Sequence, residues 1–465
     1  MKKLLFSYVM LVFVFTCCKK TDNPTDDGKM DWNAPSHPYM APNGKNNIHN
    51  DVYMTDVYTI KGPESGDLNV TMSNIGKLGG TIAFNSENKI ITLGIWADGS
   101  RALYILDPEN LVILDKFDLP TGTLSVAGGG YFYLDQNYRA VIPTVDKRIF
   151  IIGTSGNPAK LTLEKEYNLS SLPDPCNIAS VLPDWNGNLW FVTAEGIVGV
   201  VGDNNLNTLQ LSHLDSITNT VVNEPIANSF AIDETGGVFI VSDYALYRFE
   251  LNGAGQPVVV WREEYDRGTM KKPGQLSFGS GTTPTLISKD YVAITDNAEP
   301  RMNVLIYKRA KNISSNRLLC KVPVFTSGAS SNENSLIAFN NSIIVENNYG
   351  YSNLFNFVGH LSEPGLCRID FRADGNYSIA WTSSLIIPSV VSKYSSANNL
   401  IYTYTKDTEG WYFTAVNATT GQVAFQKKVG LDEIIYNNHY SGIAIAPDGT
   451  AYVGSPKGVI KFSKK

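Results

Sequence analysis

Apolar and polar positions follow a repeating order along the body of this 465-residue chain. A polar cluster precedes a short apolar stretch. A Gly, Asn or Asp turn follows, then a second apolar stretch, then another polar cluster. The clearest copies lie between Gly279 and Tyr351, where GSGTTPTLISKDYVAITDNAEPRMNVLIYKR is followed by GASSNENSLIAFNNSIIVENNYGY. Alternation and β-branched enrichment mark these stretches as strands, and no long 3.6-residue period appears, so almost no helix is expected. Similar units recur from Thr81 onward at intervals of about 47 to 55 residues, within the range of propeller blades.

The innermost strands are read as TIAF from Thr81, FYLD near Phe132, SVLPD from Ser180, NSFAID from Asn228, TPTLIS from Thr283, SLIAF from Ser335, SVVSKY from Ser389 and SGIAIAPDG from Ser441. The second strands are IITLGIW, RIFIIG, LWFVT, GVFIVSD, YVAITD, SIIVENN, LIYTYTK and AYVG. A third often follows, as in ALYRFEL, VLIYK and CRIDF. The pattern predicts an all-β propeller of eight blades. Seven is the second choice, because the segment 340–390 is irregular. The chain stops after VIKF, three strands into its last unit. The missing outer strand is expected from YMTDVYTIKG or LNVTMS, which would close the ring and cover an exposed edge.

Met1 to Thr16 carries two lysines and then LLFSYVMLVFVF, a run built like a secretory leader and short for a membrane span. FTCCKK resembles a bacterial lipoprotein signal, with Cys18 the expected lipidation site and Cys17 the alternative. Residues 1–18 are thus read as leader and lipidation site, 19–45 as a flexible polar tether and 46–465 as one propeller. The expected location is the cell envelope of a Gram-negative bacterium, with the membrane as partner through the lipid anchor, on the periplasmic or the outer face.

A formal net charge of −6 without a long basic stretch excludes a nucleic-acid partner, which needs clustered Lys and Arg. Beyond the leader there are three cysteines, Cys176, Cys320 and Cys367. Cys320 and Cys367 sit in neighbouring units and are the candidate disulfide, although sequence does not fix connectivity. No Cys/His spacing has the form of a zinc site.

The stretch AVNATTGQVAF, Ala415 to Phe425, resembles the tryptophan-docking motif of eight-bladed quinoprotein propellers, Ala-x-Asp-x-x-Thr-Gly-x-x-x-Trp. Ala415, Thr420 and Gly421 match, while Asn417 stands for Asp and Phe425 for Trp. The body, from HPYMAPNGKNNIHNDVYMTDVY through ITDNAEPRMNV and VENNYGY to NNHYSGIAIAPDG, is also similar to a group of secreted bacterial proteins in the quinoprotein-like propeller superfamily. That resemblance implies fold and export and names no activity.

In a propeller, loops entering the innermost strands and loops leaving the second strands share one face. Sequence position thereby converts into a candidate ligand-binding set on the axis: Asp243, Asp296, Asn297, Arg301, Asn334, Asn347, Asn348 and Tyr440. Glu333 belongs to the same lining. Carboxylates and amides with few cations suit a hydroxylated, carbohydrate-like small molecule or glycan, or a hard cation such as calcium. The competing expectation is that these residues satisfy loop backbones. NIHNDVYMTD, Asn47 to Asp56, offers His49 and Asp51 as further ligands on a segment that would lie across this face as a lid or serve as a structural plug. Glu299, Glu346 and His439 are the candidate catalytic groups for acid–base hydrolysis or elimination. A non-catalytic scaffold is the alternative, and a quinone-dependent dehydrogenase is the third reading.

Overall fold

A computed structural model describes residues 33–465 apart from 47–48, 123–129, 216–217, 352 and 354–356. The leader, Cys18 and most of the expected tether lie outside the described residues. The described chain forms eight radial sheets, together with one small hairpin, Ser212–Asp215 with Thr220–Asn223, inserted after the third blade. The one helical element among the described residues is a single 3-10 turn, Ile434–Tyr436.

All eight stretches read as innermost strands run along the axis. They coincide with or overlap Leu78–Phe84, Tyr133–Leu134, Ile178–Pro183, Ala231–Ile232, Thr285–Ile287, Ile337–Phe339, Lys393–Ser395 and Ile443–Ile445. Their short buried runs alternate with turns, and the outermost strands show the half-exposed alternation of sheets with one wet face, as in Thr162–Asn168. In the second blade the order shifts by one strand. RIFIIG is third, and the second is Ala140–Pro143. That strand is four residues long and ends in proline, which hides it from pattern reading.

The eighth blade is completed by Leu68–Met72, antiparallel to Gly458–Lys464. LNVTMS is therefore the closing strand. The other candidate does something else. Val57–Tyr58 adds a fifth, parallel strand to the inner edge of the seventh blade. The irregular region is a complete sixth blade, Ile337–Ser383, whose second and third strands are separated by the long connection 347–365.

The core lies between blades rather than within one sheet. Val322 and Ile306 of the fifth blade pack with Ile343 and Ile369 of the sixth. Cys320 and Cys367 are buried in this same layer as free thiols, and Cys176 is also free. The expected disulfide is thus not formed; both side chains serve as small apolar fillers, with thiol pKa values raised by burial.

The docking-motif turn is real, though its tryptophan comes from another blade. Gly421 has φ +71°, and a Cβ there would lie 2.6 Å from the indole of Trp381 in the sixth blade. The Trp381 indole N–H donates to the Ala418 carbonyl at 3.0 Å, while Asn417 accepts from the N–H groups of Thr419 and Thr420. The half-buried Trp381 is therefore a clamp between adjacent blades. Trp381→Ala is expected to lower the unfolding free energy by about 2 kcal/mol, below the cost for a fully buried tryptophan. Urea denaturation checks this, and an unchanged midpoint would remove the clamp.

Candidate functional site

The segment from Ala41 to Tyr58 decides the geometry of the axis. It crosses the end of the ring that carries the tight turns between innermost and second strands, the end opposite the expected mouth. Its carbonyls satisfy inner-edge N–H groups of successive blades: Val52 takes Ile232, Tyr53 takes Leu286, Thr55 takes Ala338 and Asp56 takes Tyr394. Lys45 takes Phe84, and Ala41 donates to Leu134. Order begins earlier than the expected tether boundary. His37, Met40 and Ala41 are buried, and the His37 ring meets Trp185 edge-on at 4.2 Å.

The plug is held by charge as well as backbone. Asp56 is fully buried and pairs with the ammonium of Lys393 from the seventh blade. It also accepts from Ser335 Oγ and lies 3.3 Å from His49 Nδ1. Lys393 and His49 hold the Asp56 carboxyl below its ordinary pKa, against burial, which acts the other way. Tyr53 is stacked under Arg309, which also reaches Asp233 at 3.1 Å. Asp51 accepts from the Tyr53 N–H at 2.9 Å and from the Thr55 hydroxyl; burial raises its pKa to about 7.

The opposite end is covered by the connection 265–284. Lys272 Nζ donates to the Ala298 carbonyl at 2.6 Å, Ser331 Oγ to the Pro273 carbonyl at 2.9 Å and Tyr440 Oη to the Gly274 carbonyl at 2.6 Å. Most residues expected to face a ligand pin these loops. Asp296 accepts from the Asn303 N–H and side-chain amide at 2.7 and 2.8 Å. The Asn297 amide donates to the Arg267 and Met270 carbonyls, and that of Asn347 to Ala329 and Pro364. Asn348 accepts the Glu333 N–H at 2.9 Å. Asn334 donates to Glu346 and to the Val390 carbonyl, both at 2.7 Å. Arg301 is half-buried near Cys367.

The candidate catalytic groups occupy three different settings. Glu299 is exposed and accepts from Thr269 at 2.7 Å. Glu346 is buried between Asn334 and the Ser392 N–H, with its pKa raised by burial to about 7. His439 lies 3.0 Å from the Tyr351 hydroxyl, and burial lowers its pKa to about 4. No hydrogen bond or ion pair joins any two of these three side chains among the described residues.

Asn297 Oδ1 and Asn334 Oδ1 are nonetheless buried without a hydrogen-bond partner, and to these Glu333 adds a carboxyl. Glu333 is 8% exposed, and its Oε2 is buried with no hydrogen-bond partner. Burial raises its pKa to about 8, opposed by an N–H from Leu276 and by Lys271, and Asp243 acts in the same sense as burial. Asp243 is itself raised to about 7 by burial. Tyr131 and Tyr440 both feel the Glu333 charge. A Cβ at Gly281 would stand 2.7 Å from Glu333 Oε2, so glycine there makes room for the carboxyl. Tyr131 continues the column inward. It hydrogen-bonds Asn228 at 3.3 Å and stacks on His49 at 6.2 Å.

No protein family model matches the chain. It is 27% identical over 406 residues to an uncharacterized protein of Archaeoglobus fulgidus, across 79% of this chain and 78% of the other. Among solved structures it is similar to a europium-containing methanol dehydrogenase, with a TM-score of 0.55, 11% identity and coverage of 88% of this chain and 89% of that one. It is likewise similar to the quinohemoprotein alcohol dehydrogenase from Comamonas testosteroni, with a TM-score of 0.55, 10% identity and coverage of 92% and 81%. At these identities the likeness is one of fold. The chain is an eight-bladed β-propeller.

Sequence reasoning placed Glu333 in the axial lining but not as its centre. It missed Tyr131 and Lys393. A lysine within an innermost strand otherwise free of charge, SVVSKY, was the available signal for a buried ion pair.

Proposed function

We propose that this protein is an exported, lipid-anchored propeller that binds a polar, hydroxylated small molecule at the axial mouth, beneath the 265–284 connection. The observation that carries this reading is Glu333, a buried carboxyl with one oxygen left without a partner. Unpartnered buried polar groups are rare in folded proteins and are costly unless something pairs with them. Near neutral pH the protonated carboxyl donates one hydrogen bond and accepts another, which matches a sugar hydroxyl. Tyr131 and Tyr440, which both feel the Glu333 charge, are the aromatic groups offered to such a ligand, with Asp243 as a further carboxyl. Binding rather than turnover is favoured, because each candidate is engaged with a different partner: Glu299 with Thr269, Glu346 with Asn334 and Ser392, and His439 with Tyr351.

The fold raises the question of a quinone with its metal ion. The residues do not fit one. Val52, Tyr53 and Met54 of the plug are buried across one end of the axis. Among the described residues no group of three acidic, histidine or cysteine side chains is placed to hold a metal ion. The third reading therefore has no support from the arrangement of side chains.

The test is calorimetry on the mature chain with a panel of neutral mono- and oligosaccharides, beside Glu333→Gln and Glu333→Ala. One sugar is expected to bind, with Glu333→Ala weakening it about tenfold or more and Glu333→Gln less. Absence of any sugar binding, with a protein partner recovered on the same face, would replace this reading by the scaffold one.

A further inference from the structure

The plugged end of the ring carries a cavity that the axial mouth does not explain. It has a volume of about 110 Å³ and lies between the N-terminal segment and Pro447 of the eighth blade. Asn43 and Thr59 form an exposed rim, and Tyr58 and Asp51 form buried wall. Lys45, half-buried, lines the same space. A smaller cavity of about 20 Å³ lies deeper and shares Asp51 as a wall residue.

Two ionisable side chains of opposite sign therefore line one cavity without neutralising each other. Among the described residues neither Lys45 nor Asp51 makes an ion pair. The Lys45 ammonium donates to the Asn88 amide oxygen, a neutral group. Asp51 is held by the Tyr53 and Thr55 N–H groups and by the Thr55 hydroxyl, also neutral. Burial lowers the Lys45 pKa and raises that of Asp51 to about 7; the cation that Asp51 acts on, Lys393, is already paired with Asp56, so neither group has a counter-ion of its own. A ligand bearing both charges would supply both counter-ions at once. The volume equals about three to four waters, which is room for five to seven heavy atoms.

We propose that this cavity binds a small zwitterion of α-amino-acid size, its ammonium taken by Asp51 and its carboxylate by Lys45. Such a ligand would bridge the N-terminal segment to the body, because Lys45 and Asp51 belong to the plug and Pro447 to a blade. Binding would thus stabilise the seating of the plug by mass action.

The test is calorimetry and thermal unfolding of the mature chain with glycine, alanine and serine, against acetate and methylammonium, which each carry one of the two charges. At least one amino acid is expected to bind and raise the melting temperature, with both single-charge probes weaker by about tenfold or more. Lys45→Gln is expected to weaken binding by about tenfold. Its ammonium bond lies at the surface, so this variant keeps the fold even where Asp51→Asn, which loses turn contacts, does not. Glu333→Gln, at the other end of the axis, is expected to leave amino-acid binding unchanged. No amino acid binding more tightly than the single-charge probes, or wild-type affinity in Lys45→Gln, would overturn the proposal. Loss of binding in Glu333→Gln would also overturn it by moving the ligand to the mouth.

Discussion

Asp56→Ala is expected to destabilise the protein by about 3–5 kcal/mol, the cost of breaking a buried ion pair from one side. Asp56 is 0% and Lys393 1% exposed, so the ammonium left behind has no water to take over from the carboxylate. His49 and Ser335 would lose the same acceptor. The pair joins the N-terminal plug to the seventh blade, so its loss acts on the closure of the whole axis. Lys393→Met added to Asp56→Ala is expected to recover part of the loss, because it removes the unpaired charge and restores apolar volume. Equilibrium urea unfolding gives both values. Limited proteolysis should show cleavage within 41–58 appearing in the single variant. A cost below about 1 kcal/mol would place the pair among those that contribute little and would mean that backbone pairing alone seats the plug.

Stability is expected to fall as pH rises from about 6.5 to 8, opposite to the usual behaviour of a protein whose carboxylates are paired. Burial raises Glu333 to about 8 and Asp51, Asp243 and Glu346 to about 7. In this window the folded chain keeps protons that the unfolded chain has lost, so rising pH favours unfolding. The charges facing these groups are Lys271 and Asp243 at Glu333, Asp56 and Lys393 at Asp51 and at Glu346, and Arg267 and Glu224 at Asp243. Below about pH 6.5 the trend is masked, because His37, His49 and His439 have lowered pKa values and work in the other direction as they charge in the unfolded chain. Each fully protonated carboxyl contributes a slope of about 1.4 kcal/mol per pH unit, so the expected loss is about 2–4 kcal/mol, with Glu333 the largest share. Glu333→Gln should flatten the curve by about half. Denaturation midpoints at pH 6.5, 7.2 and 8 check this. Stability that holds level or climbs over that range would mean that water or ions reach Glu333 and keep it an ordinary carboxylate.

The repeat, the eight innermost strands and closure of the last blade by an N-terminal strand were legible in the chain; that LNVTMS rather than YMTDVYTIKG supplies it was not. Each legible feature rests on local order: alternation, turn residues and a fixed spacing that only one architecture satisfies. The second blade's short Ala140–Pro143 strand was not, because four residues ending in proline carry no period. That Asp243, Asn334 and Tyr440 lie on loops of one end was an expectation from connectivity. What those residues do there was not legible, since an amide that caps a loop and an amide that awaits a ligand have the same spelling. Only tertiary packing separated Asn347, spent on the Ala329 and Pro364 carbonyls, from Glu333, whose Oε2 is left alone. The plug was decided in three dimensions for the same reason. The segment NIHNDVYMTD has few apolar residues and no period. Its place comes from inner-edge N–H groups on four successive blades and from Lys393, partners that lie 180 to 340 residues away in the chain.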